Sequence, residues 1–155
     1  MATLVAEGTI ENGATTANPA GDVWVSIRFI AAGVRASVAE ATAGPFTLKD
    51  SKNFSIRVSP TKQLQLWSVA RPFLHVAQVQ VHIGGPTGQV VDNINITFGV
   101  RNVRLDANTG LYLNNEHLKM RGYCDHSSFG GVGSAVPDRV QLFHAQALRA
   151  AGGNR

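Results

Sequence analysis

Cysteine is almost absent: Cys124 is the single thiol in 155 residues. One thiol cannot close an internal disulfide, so the fold does not depend on oxidation. Long apolar runs are missing too. None approaches the roughly 18 residues that a membrane span needs, so no membrane partner is expected. The first residues, MATLVAEGTIENG, hold neither a basic n-region nor an apolar h-region, so no secretory signal is expected and the cytoplasm is the default compartment. Charge is sparse at 15% of residues, against a usual value of about 25%. A chain this poor in charge and 44% hydrophobic is not disordered by composition. The net charge of +4 is mild, and Lys and Arg never occur three in a row. A nucleic-acid patch would cluster them, so no nucleic-acid partner is expected. Two N-glycosylation triplets, at Asn53 and Asn95, carry little weight without an export signal.

What is present is β patterning. Residues 23–33, VWVSIRFIAAG, alternate Val23, Val25, Ile27 and Phe29 against Trp24, Ser26 and Arg28. That is period 2, a half-buried strand. Further strands are expected at 3–10, 34–41, 54–60 (closed by Pro60), 75–85 and along the Val- and Ile-rich run 89–105. Residues 11–22 carry the Asn, Gly, Thr and Pro of a loop. In LYLNNEHLKM, residues 111–120, the NNE triplet reads as a hairpin turn. Six to eight short strands with turn signals between them predict a mainly β chain, an immunoglobulin-like antiparallel sandwich. Trp24 and Trp67 are expected in its core rather than as sugar platforms, given the area they bury.

The pattern changes after Gly122. Residues 137–151 predict a helix: Pro137 opens it, Asp138 and Arg149 suit its dipole, and Gly152 stops it. Val140, Phe143, Ala147 and Ala150 share one face. With a strand at 118–123 and a loop at 124–135, this makes one βα unit, the repeating piece of an α/β barrel.

These residues resemble glycoside hydrolase family 2, the β-galactosidases, β-glucuronidases and β-mannosidases. In LQLWSVARPFLHVAQVQV, Trp67, Pro72 and Leu74 match the family pattern and His75 replaces its usual Tyr. In VVDNINITFGVR, Asp92, Phe98, Gly99 and Arg101 match. In LYLNNEHLKMRGYCDH, Asn114, Arg121, Gly122 and His126 match, while Asn115 stands where Gly is usual. The last stretch, ending at Asn154, is similar to the first barrel helix of the family. The resemblance implies a sandwich over 1–104 and, over 105–155, a hairpin, the first strand and the first helix of a (β/α)8 barrel. It implies a retaining β-glycosidase with two carboxylates on later strands. The chain as given would then be a fragment, inactive alone, with the remainder of the barrel as its expected partner. The alternative is a non-catalytic immunoglobulin-like interaction module.

The loop YCDHSSFGGVG is the candidate site, because barrel active sites sit at the C-terminal ends of strands. The resemblance makes His126 a sugar-lining residue and Asp125 its neighbour, both offering hydrogen bonds to a carbohydrate substrate. Local roles compete: Asp125 could cap an Asx turn, and His126 could satisfy nearby backbone. No catalytic residue is identified in the chain, and no cofactor is expected. A metal at Cys124, Asp125 and His126 is disfavoured because no second cluster supplies further ligands. Cys124 reads as a small buried side chain, not a nucleophile paired with His144. Arg101 could pair with a carboxylate where the domains meet.

Overall fold

The computed structural model describes residues 3–13, 21–31, 37–48, 50–124, 126 and 128–154. It contains nine strands and one helix among them: β1 Leu4–Glu11, β2 Asp22–Ala31, β3 Ser37–Thr47, β4 Ser51–Val58, β5 His75–Ile83, β6 Gln89–Phe98, β7 Val103–Asp106, β8 Gly110–Leu113, β9 Glu116–His117 and α1 Asp138–Ala150. The chain divides into two compact units, 1–100 and 101–155.

The first unit is an antiparallel β-sandwich. One sheet pairs β1 with β4 and the other runs β3-β2-β5-β6. The alternation of β2 sets its core. Val23, Val25, Ile27 and Phe29 are all buried and pack with Ile10 of β1, Ile56 of β4 and Ala77 of β5. Each such side chain contributes about 1.5–3 kcal/mol relative to exposure. Residues opposite one another in antiparallel strands share a face. Ser26, opposite Gln80, and Trp24, opposite His82, therefore lie on the outer face of this sheet.

Two strands run past their expected bounds or stop short of them. β3 continues to Thr47 through Gly44 and Pro45. Proline is tolerated there because β3 is an edge strand. The run 89–105 breaks after Phe98. There the Trp67 amide donates to the Val100 carbonyl at 2.7 Å, and the indole lies on Gly99, where a Cβ would meet Trp67 Cβ at 3.0 Å. The chain leaves the ladder to receive Trp67. Neither tryptophan is in the core as expected: both are half-buried, Trp24 on the outer face and Trp67 on Gly99.

Histidines occupy places that the strand pattern does not foretell. His75, at 1% exposure, lies between Phe73 and Phe98 with ring centroids 5.2 and 5.6 Å away. Its Nε2 donates to the Gln65 carbonyl at 3.0 Å. His82 is buried although it lies on the outer face. A carbonyl can only accept, so His82 Nδ1 donates to Gly88 O at 3.2 Å and Nε2 accepts from the Ser26 hydroxyl at 2.7 Å. That imidazole ties β2, β5 and the β5–β6 turn together.

The second unit opens with a three-stranded antiparallel sheet, β7-β8-β9. Asp106 builds the first turn. Its Oδ1 accepts from the amides of Asn108 at 3.0 Å and Thr109 at 2.9 Å. Asn114 and Asn115, with φ of 53° and 68°, make the second. Two successive positive φ values are what a two-residue hairpin loop requires, and Asn tolerates them where Gly is the usual choice.

Candidate functional site

The segment from Leu118 to Cys124 is not a strand, contrary to expectation. Leu118 still donates to Leu111 O at 2.7 Å, but no described strand lies beside the following residues to complete a ladder. One residue takes that place. The Asn154 side chain donates through Nδ2 to Lys119 O at 3.0 Å and accepts from the Arg121 amide at 2.7 Å. Its own amide donates to Arg121 O at 2.8 Å.

The helix that brings Asn154 there is α1. Pro137 is its N-cap, one residue outside the first turn. At the other end Gly152 adopts φ 82°. Its amide donates to Arg149 O at 3.0 Å and that of Gly153 to Leu148 O at 2.8 Å. This pair of bonds is the Schellman motif, which needs a residue in the left-handed region. The helix buries no side chain completely. The inward face differs from the expected one: Val140, His144 and Leu148 are half-buried, whereas Phe143 and Ala147 are exposed. The i, i+4, i+8 row won because the loop ahead of the helix packs on it. Phe129 packs against His144 with ring centroids 4.4 Å apart and the rings tilted by 58°.

The loop itself closes at its glycine-rich end. Phe129 and Gly133 exchange amide-to-carbonyl bonds of 2.9 and 2.8 Å. Gly131 and Gly133 have φ of 89° and 59°, so these two glycines serve a tight turn. His126 lies exposed in the loop. Asp125, the other expected sugar contact, lies outside the described residues. Cys124 is exposed, not buried as expected. Among the described residues no group of three His, Cys, Asp or Glu side chains could hold a metal. Among the described residues no helix is long and apolar enough to cross a membrane. The Asn154 and His144 contacts were not legible beforehand: Asn154 is 33 residues from Arg121, and no local pattern marks such a bond.

No family model matches. In sequence, the chain is 35% identical over 99 residues to a protein of Formosa agariphila named for β-glucuronidase activity, covering 64% of this chain and 9% of that protein. It is 33% identical over 93 residues to a β-galactosidase of Bacteroides ovatus, covering 60% and 11%. In structure, a Bacteroides uniformis β-glucuronidase superposes with a TM-score of 0.84 at 21% identity, covering 98% of this chain and 18% of that one. A glycosyl hydrolase family 2 member from Bacteroides cellulosilyticus superposes with a TM-score of 0.80 at 23% identity, covering 98% and 20%.

The chain is similar to a segment of glycoside hydrolase family 2 enzymes. It spans about a tenth of the length of these curated relatives and corresponds to one segment of such an enzyme. The fold of the sandwich and of the residues leading to Asn154 has counterparts in the superposed structures, which cover nearly the whole chain.

Proposed function

We propose that this chain is the sandwich domain and the entry to the catalytic barrel of a retaining β-glycosidase. The sandwich occupies residues 1–104 and the barrel's hairpin, first extended segment and first helix occupy 105–155. The chain supplies part of the sugar site but not the chemistry. Retaining hydrolysis needs a carboxyl acid/base and a carboxylate nucleophile about 5–5.5 Å apart, and these come from other parts of the parent enzyme. His126 and Asp125 line the site and hydrogen-bond sugar hydroxyls. The supporting observation is that relatives named as β-galactosidases and β-glucuronidases align over more than half of the chain.

The test is hydrolysis of p-nitrophenyl β-glucuronide and β-galactoside. Two proteins are compared: the 155-residue chain, and the longest in-frame product that contains it. The short chain is expected to be inactive and the longer product active. In the longer product, His126→Ala is expected to lower kcat/KM at least about tenfold, the loss of one hydrogen bond made in the transition state. An active longer product unaffected by His126→Ala removes this residue from the site. A longer product without glycosidase activity favours the interaction module.

A further inference from the structure

We infer that Asn154 and His144 are positioning residues that fix the two ends of the loop carrying His126. The inference rests on the reading that this loop faces the sugar.

At the N-terminal end of the loop, residues 119–121 present backbone groups beside no described strand. A backbone donor or acceptor left unpaired costs about as much as a lost hydrogen bond. Asn154 supplies both kinds of partner. Its carboxamide offers a donor to Lys119 O and an acceptor to the Arg121 amide, and its backbone amide meets Arg121 O. Only a side chain with a donor and an acceptor on one short arm does this. Asp would set a carboxylate oxygen against the Lys119 carbonyl, acceptor facing acceptor. The reach depends on the helix stop. The Schellman turn at Gly152 reverses the chain so that Asn154, two residues later, arrives at Lys119 and Arg121.

At the C-terminal end, the anchor is aromatic. The closed turn Phe129–Gly133 sits against α1 through Phe129 and His144. His126 lies five residues after Arg121 and three before Phe129. Both anchors come from the helix and its cap, so the loop between them is referred to one rigid element. Neither residue needs to touch a ligand to set where the His126 imidazole stands.

The test uses the full 155-residue chain, with backbone 15N and histidine ring 13C labels, as Asn154→Ala, Asn154→Asp, His144→Ala and His144→Phe. Asn154→Ala is expected to speed exchange of the Arg121 amide roughly tenfold, the usual worth of one such bond. It is also expected to shift the His126 Cε1–H resonance, with the amides of β2 and β5 unchanged. Asn154→Asp loses the donor to Lys119 O but keeps an acceptor for the Arg121 amide, so it should shift the His126 resonance without speeding exchange of the Arg121 amide, and it covers the case in which the Ala variant does not fold. His144→Ala should move the His126 resonance, and His144→Phe, which keeps a ring against Phe129, should restore it. A general loosening of the fold would move the β2 and β5 amides as well. An unmoved His126 resonance in Asn154→Asp and His144→Ala overturns the inference. Titration with methyl β-glucuronide and methyl β-galactoside is read separately. A His126 signal that responds to the variants but to neither sugar counts against the sugar-lining role alone.

Discussion

β2 and α1 are both amphipathic, and the structure treats them in opposite ways. β2 sends Val23, Val25, Ile27 and Phe29 into a core where none exceeds 4% exposure. α1 buries nothing fully, and Leu142 and Phe143 stand 58% and 63% exposed. The sandwich is held by packing. Residues 101–155 are held mainly by particular hydrogen bonds: the Asp106 turn, the Schellman cap and the Asn154 clasp. The same apolar period therefore means different things. In β2 it records burial already achieved within the chain. In α1, and at Leu105 and Tyr123, which are 78% and 75% exposed, it marks surface left without cover by the described residues.

The sharpest way to break this contrast is to truncate one side chain from each region. Ile27→Ala opens a cavity in a close-packed core and is expected to cost about 2–5 kcal/mol. Phe143→Ala, on the exposed face, is expected to change stability by no more than about 0.5 kcal/mol. Urea unfolding of the two variants beside the parent reads both. Similar losses would mean that α1 is packed as tightly as β2 in solution.

The hydrogen-bonded region has its own weak point at Gly152. A Cβ on a residue at φ 82° is strained, so Gly152→Ala is expected to weaken the helix end by about 1 kcal/mol. Exchange of the Gly152 and Gly153 amides should quicken while the sandwich amides keep their protection. Protection lost equally in both units would mean that they unfold together.

How much of this was legible beforehand follows the same divide. The β2 alternation could be read because burial on one face imposes period 2. β3 could be read only to about Ala41, because Gly44 and Pro45 carry breaker chemistry that an edge strand tolerates. The strand expected at 118–123 was a misreading of another kind. Apolar pattern reports which residues seek cover, whereas a strand also needs a neighbour, and Asn154 is a single residue. The size of the tryptophans points to a core that smaller aliphatic residues in fact fill. In the candidate site, His126 was named by resemblance, not by physics. The contacts that frame its loop join residues 33 and 35 apart through one carboxamide, and no periodicity encodes that.

The smallest expected effect is also the most specific to the hydrogen-bonded region, and it concerns pH. The Asp106 carboxyl is held below the ordinary aspartate value, chiefly by the Thr109 side chain, then by the Asn108 and Thr109 amides, with Arg104 adding a smaller pull. A carboxylate whose folded-state value is lowered contributes stability above the value it has when unfolded. That contribution fades as the pH falls through the lowered, folded-state value. The β7–β8 turn should therefore be fully formed at neutral and mildly acid pH and loosen only below the ordinary aspartate range. Because the Asp106 side chain is partly exposed and that of Arg104 half exposed, salt and water screen their contact at 3.2 Å, and the effect stays local. The Asn108 and Thr109 amide shifts, followed from pH 6 to pH 2, should move together while the β2 amides do not. Asp106→Asn keeps an acceptor oxygen without the charge, so it should hold the turn more weakly at pH 6 and remove the pH response. If the turn shifts in Asp106→Asn still titrate as in the parent, the carboxyl that controls this turn is not Asp106.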